Sequence, residues 1–171
     1  MKPENTREKV LELIFDFPTQ RFHIREIARM LKISAPAVSN AIKKLESEGF
    51  LVHKKGFISE IYAKIDDQFR DFKRINNLKK IYDSGLPGYL NGKFPLATIV
   101  LFGSYSRGED IEKSDIDIAI FEKEKKLEIE LFEKKLNKKI NIEFIDFSKA
   151  SSELKESLIN GIVLFGNITL K

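Results

Sequence analysis

An apolar run, Leu96 to Phe102, ends in Gly103-Ser104, ten residues follow, and Asp115-Ile116-Asp117 opens a second apolar run. In an extended strand residues i and i+2 share a face, so Asp115 and Asp117 point together while Ile116, Ile118 and Ile120 face the other way. Two carboxylates about 4 Å apart repel by roughly 4 kcal/mol at an effective dielectric of 20. A fold keeps such a pair where a cation relieves it, and oxygen ligands favour Mg2+ or Mn2+. Gly103 lets a phosphate approach the backbone, and the Ser104 hydroxyl with nearby N–H groups can cradle it. Arg107, one helical turn on, offers its planar fork to a triphosphate. These parts describe transfer from a metal–nucleotide complex, with ATP or another NTP as substrate. An acceptor hydroxyl attacks in line and pyrophosphate leaves.

The elements that must position these residues alternate strand and helix. Strands are expected at 96–102, 115–121, 140–145 and 162–165, with helices at 127–136 and 152–159. On the third strand Glu143 is the only acid, flanked by apolar residues. A competing phosphate loop at Gly88–Lys93 fails: it is one residue short, Phe94 stands where Ser or Thr is needed, and it precedes a strand.

The first part of the chain has a different rhythm. Val10, Leu11, Leu13, Ile14 and Phe17 give a helical stripe that Asn5 or Thr6 can cap, and Pro18 ends it. A shorter helix runs from His23 to Leu31. Ser34 then caps a third helix, with Pro36 in its first turn, that buries Val38, Ala41, Ile42 and Leu45 and closes at Gly49. Strand-like segments at 50–52 and 58–65 flank the basic turn Lys54-Lys55-Gly56. Three helices and a hairpin make the winged helix-turn-helix plan. Its third helix turns Ala35, Ala37, Ser39, Asn40, Lys43 and Lys44 outward, and Ser34 at its cap joins Ala35, Ser39, Asn40, Lys43 and Lys44 as an expected DNA contact. Ser39 and Asn40 can bond base edges or phosphates, and Lys43, Lys44, Lys54 and Lys55 can neutralise phosphates. Glu46 and Glu48 dilute that face, and a protein-binding role for the module is the competing reading. A helix over 67–82, with Phe69, Phe72, Ile75, Leu78 and Tyr82 in step, joins the two parts, and Ser84-Gly85-Leu86-Pro87-Gly88 breaks it.

Residues 24–51 resemble small prokaryotic winged-helix regulators, a resemblance that extends over about 5–65. The Gly-Ser-x10-Asp-x-Asp arrangement resembles the DNA polymerase β-type nucleotidyltransferase superfamily, and Gly-Ser-Tyr-Ser-Arg-Gly-Glu in so short a domain resembles its minimal members. The implied fold is α+β: a winged helix-turn-helix over 1–66, a connector helix over 67–84, and a small mixed-sheet nucleotidyltransferase domain over 85–171. The resemblance implies a third carboxylate on a later strand, matched best by Glu143 although many relatives have Asp, so that Asp115, Asp117 and Glu143 together would be the metal-binding and catalytic acids. It also implies transfer of AMP from ATP. The acceptor implied is a separately encoded helical (HEPN-type) toxin, the arrangement of a toxin–antitoxin pair.

Composition bounds the rest. The chain has 171 residues, 30 Lys and Arg against 26 Asp and Glu, two His and no Cys. Disulfides, thiolate zinc sites and cysteine nucleophiles are therefore excluded. No apolar run approaches the ~18 residues of a membrane span, and the first six residues have no export-signal character, so a cytoplasmic protein is expected. Residues 1–68 carry 12 basic and 10 acidic side chains, residues 69–95 six and two, and residues 96–171 twelve and fourteen. The basic excess thus lies in the first 95 residues, most of it in 69–95, and the last 76 are slightly acidic. A homodimer is the default for a winged helix reading DNA. The rival functions are a regulator that senses nucleotide without turnover, and a nucleotidyltransferase acting on nucleic acid or a small molecule.

Overall fold

The computed structural model describes residues 6–56 and 59–169, which fall into two compact units, Met1–Arg70 and Asp71–Lys171. Asn5 and Ile58, named above as a cap and a strand start, lie outside the described residues. No helix among the described residues is long and apolar enough to cross a membrane.

The first unit holds α1 (Thr6–Asp16), α2 (Ile24–Leu31), α3 (Ala35–Ser47) and an antiparallel hairpin of β1 (Leu51–Lys54) and β2 (Glu60–Ala63). The apolar stripes do what their spacing requires. Val10 and Ile14 of α1, Ile27 of α2, and Val38, Ile42 and Leu45 of α3 are fully buried together with Ile61 of β2. Each such side chain contributes about 1.5–3 kcal/mol relative to exposure. The α2–α3 turn is made by Lys32, which ends α2 in the left-handed region (φ +55°). Ser34 follows, its hydroxyl accepting from the Ala37 N–H at 3.4 Å. Phe22 pairs with Ile61 through backbone bonds of 2.8 and 2.9 Å, adding a third rung beside the hairpin.

A helix of eighteen residues, α4 (Asp67–Ser84), carries the chain out of this unit and into the next. The second unit continues with α5 (Leu86–Lys93), β3 (Ile99–Phe102), the short α6 (Gly103–Arg107), β4 (Ile116–Ile120), α7 (Glu130–Leu136), β5 (Ile140–Phe144), a 3-10 turn at Phe147–Lys149, α8 (Ser152–Ile159) and β6 (Ile162–Phe165). Its sheet has the order β5-β4-β3-β6, with β4 parallel to β5 and β3 antiparallel to both of its neighbours. One face of the sheet packs Ile99, Leu101, Ile116, Ile118 and Ile120 against Ile81, Leu86, Leu90 and Phe132 of the helices. The other face packs Val100, Phe102 and Ala119 against Leu158 of α8.

Three elements depart from the expectation. The strand expected over 96–102 starts only at Ile99, and Leu96 is 95% exposed. The break at 84–88 is a single sharp turn, with Gly85 at φ +84°, and α5 begins at once. Its Pro and two Gly argue against a helix, but Leu86 and Leu90 are fully buried, and that packing outweighs the poor propensity. The helix expected from residue 127 starts only at Glu130, although Leu127 and Ile129 still pack against the core.

Candidate active site and nucleic-acid interface

The antiparallel register of β3 and β4 pairs Phe102 with Asp117, so the residue that follows Phe102 lands beside the Asp117 carboxylate. That residue is Gly103, at φ +74°, in the left-handed region that side chains disfavour. A Cβ there would stand 2.4 Å from Asp117 Oδ2. The sequence therefore leaves bare backbone against a carboxylate, a close approach only glycine permits. The chain then turns into α6, where the Ser106 hydroxyl donates to the Gly103 carbonyl at 2.8 Å and the Glu109 N–H donates to the Ser104 carbonyl at 3.0 Å. Ser104 is half-buried. Arg107 is exposed, and its Nε donates to Glu109 Oε2 at 2.7 Å, so its fork is engaged by a neighbouring acid.

Asp115 stands just before β4, exposed, and Asp117 sits within it, half-buried. The strand's start is pinned by the Ile116 N–H, which donates to the Lys139 carbonyl at 2.8 Å. The parallel register with β5 then decides what faces Asp117: it is Asn141, while Glu143 lies opposite Ala119. One amide nitrogen, Asn141 Nδ2, donates to Asp117 Oδ1 at 3.3 Å and to Glu143 Oε1 at 3.4 Å. Gly103, Ser104, Asp115 and Asp117 are thus gathered at one end of the sheet, and Glu143 reaches its edge with Asn141 interposed. Among the described residues no group of three or more His, Asp or Glu converges as a metal cage. Asn141 is the residue the sequence reading passed over. Its signal was the alternation Ile140-Asn141-Ile142-Glu143, which puts Asn141 on the same strand face as Glu143.

The donor set fits a particular kind of cation. Two hard carboxylates beside a backbone cradle supply part of a shell, and Mg2+ is commonly held by one or two carboxylates with phosphate and water completing its octahedron. Asp115 and Asp117 would hold such an ion only in company with the phosphates it carries. A cavity of about 630 Å³, lined by Phe121, Glu122, Phe144 and Phe147, opens past the far end of β4 from Asp115. It belongs to a different end of the sheet.

In the first unit α3 turns Ser34, Asn40, Lys43 and Lys44 to solvent, with Ala35 and Ser39 half-buried, and Lys54 and Lys55 are exposed at the hairpin. All eight expected contact residues lie at the surface or partly so. The Ser34 oxygen is engaged as the helix cap, leaving its hydroxyl proton free to be donated. The acid in α3, Glu46, and the one just past its end, Glu48, are both occupied. Glu46 Oε1 accepts from the His53 N–H at 3.2 Å. Glu48 accepts from Arg7 Nε at 2.8 Å and also from its Nη2, and this guanidinium holds the Glu48 carboxyl below the usual range. The acids that diluted the basic face in the sequence are thereby spent on structural partners.

Comparison with protein families agrees with the division of the chain. Residues 4–58 match the MarR family, and residues 86–168 match the family described as Polymerase beta, Nucleotidyltransferase. Neither the curated proteins nor the solved structures contain a match to the chain.

Proposed function

From a chain that joins a MarR-type winged helix to a polymerase-β-type nucleotidyltransferase domain, we propose a metal-dependent nucleotidyltransferase that also binds DNA. It moves AMP from ATP onto an acceptor hydroxyl. The observation that carries this reading is the bare backbone of Gly103 against the Asp117 carboxylate: a Cβ there would stand 2.4 Å from Asp117 Oδ2, so only glycine lets the turn that would meet the phosphates lie directly beside the proposed cation ligand. Gly103 and Ser104 receive the triphosphate, and Arg107 exchanges Glu109 for a phosphate oxygen. Asp115 and Asp117 hold the divalent ion, Mg2+ or Mn2+, which would supply positive charge at the phosphates. The acceptor oxygen bonds to the α-phosphorus as the bridging bond to pyrophosphate breaks, and the hydroxyl proton passes to solvent. Because Asp115 is exposed, an acceptor delivered on another macromolecule suits the site, and a HEPN-type toxin protein is the favoured candidate. The winged helix would place the enzyme on DNA as a homodimer, with two copies of α3 about 34 Å apart on successive major grooves.

The test is transfer of label from α-labelled ATP with Mg2+ and cell extract, comparing the native chain with Asp115→Ala/Asp117→Ala. Label on a macromolecule that vanishes in the double variant supports the reading. No transfer, or transfer that survives the double variant, ends it. A second reading is favoured by Asn141: with a neutral amide opposite Asp117, the site binds a nucleotide–metal complex as a signal, without turnover. Saturable binding of Mg·ATP that shifts DNA affinity, with no label transferred, selects that reading.

A further inference from the structure

Of the ten residues between Ser104 and Asp115, residues 105–107 finish α6 and residues 108–114 form no helix or strand, yet together they span the two halves of the proposed site. Backbone carbonyls in such a segment need partners from elsewhere. Here they are supplied by a buried polar cluster of three donors around one acid. Lys73 of α4, 1% exposed, donates from Nζ to the Asp110 carbonyl and lies 3.2 Å from Asp110 Oδ1. One turn on, Asn77 Nδ2 donates to Asp110 Oδ1 at 2.7 Å and to the Tyr105 carbonyl at 3.0 Å. Lys138, just before β5, donates to the Ile111 carbonyl at 2.7 Å and the Ser114 carbonyl at 3.2 Å, and lies 3.4 Å from Asp110 Oδ2.

Burying charges is a poor way to gain stability, since apolar residues of similar volume commonly serve as well or better. What the cluster does that apolar residues could not is fix oxygens in place. Those it holds include the carbonyl next to Ser104 and the carbonyl next to Asp115. We propose that Lys73, Asn77 and Lys138 are positioning residues that act through Asp110. They set the separation of the Ser104 turn from the Asp115 carboxylate and so determine how tightly the site takes a nucleotide–metal complex. The inference rests on the nucleotide reading of that site.

The experiment measures the dissociation constant for Mg·ATP and the melting temperature of the full chain for Lys138→Met, Lys138→Arg and Lys73→Met. Lys138→Met weakens Mg·ATP binding by about 10-fold, and Lys138→Arg, which keeps charge and donors, recovers most of it. In an Asp115→Asn background Lys138→Met has little further effect, because the two act on one interaction. If Lys73→Met does not fold, Lys138, at the cluster's edge, carries the test alone. A lowered melting temperature with an unchanged dissociation constant means the cluster only stabilises the unit, and the inference is overturned. If the native chain itself fails to bind Mg·ATP, the nucleotide reading falls first and takes this inference with it.

Discussion

The two units treat polar groups in opposite ways. Among the described residues of Met1–Arg70 no polar or charged side chain is buried, whereas Asp71–Lys171 buries Lys73, Asn77, Ser84, Ser106 and Asp110. On the proposed function, the contrast follows from where each unit keeps its working residues. In the first unit Asn40, Lys43 and Lys44 stand outside an apolar core, so the fold has only to present a helix face, and any well-packed core will do. In the second unit the site is a turn whose backbone must lie against a carboxylate, and a backbone is placed by hydrogen bonds. Ser106 on the Gly103 carbonyl and Asn77 on the Tyr105 carbonyl are such bonds.

Gly103→Ala should separate the two units most strongly. The new Cβ meets Asp117 Oδ2 at 2.4 Å and the residue is held at φ +74°, so either the carboxylate or the turn moves. Strain of this kind costs about 1–3 kcal/mol before the clash is counted. Mg·ATP binding should fall on the order of 100-fold, with DNA binding by a mobility-shift assay unaltered. Equal loss of both would show that the two functions do not divide between the units.

Asn141→Asp changes the charge of the second unit's site and leaves the first unit alone. It places a third carboxylate opposite Asp117, with the repulsion that Asn141 now relieves. Without metal the variant should melt lower than the native chain, and with it the order should reverse, divalent-ion affinity rising by about 10-fold, in line with the differential interaction of one added charge. Calorimetric titration with Mn2+ and melting in chelator give both numbers. A variant that melts lower and binds no more ion would show that this position does not face the cation.

The sequence made much of this legible, and the exceptions have a common cause. Apolar runs disclosed all four strands of the second unit, and glycine next to a strand end disclosed the turn at Gly103, because those signals are local. The cluster around Asp110 was hidden because Lys73 lies 37 residues away and looks like any charge on a solvated helix. Asn141 was hidden because only the parallel register, a tertiary fact, puts it rather than Glu143 opposite Asp117. The helix α5 was hidden because burial of Leu86 and Leu90 overrode Pro87, Gly88 and Gly92. In the first unit the burial pattern largely followed the period-3.6 stripes, since its long-range polar contacts, such as Arg7–Glu48 and Arg21–Glu60, lie outside the apolar core.

On the DNA side, Lys43→Ala/Lys44→Ala should weaken binding to a promoter fragment roughly 10-fold near physiological salt and reduce the slope of log affinity against log salt by about two. Mg·ATP binding should be untouched. Unchanged DNA affinity would move the module toward protein recognition.

The smallest effect is a pH dependence confined to the first unit. Arg7 holds the Glu48 carboxyl below its ordinary range, mainly through their hydrogen bond. A carboxyl whose pKa is lower folded than unfolded contributes stability above the unfolded value, about 4.3 for Glu, and loses it as pH falls through the folded value. The pair is part-exposed, with side chains 23% and 30% accessible, so solvent screening limits its contribution to at most about 1 kcal/mol. Arg7→Ala should therefore lower the melting temperature of this unit by a few degrees at pH 7 and hardly at all once pH has fallen through the folded value. The difference between native and variant curves should close across the acid limb. Because Arg7 also lies over the Phe50 ring, with its guanidinium carbon 5.9 Å from the centroid, a part of the loss that persists at low pH would belong to packing. If all of it persists, the ion pair contributes nothing, and the polar groups of the first unit are as dispensable to its fold as its apolar core implies.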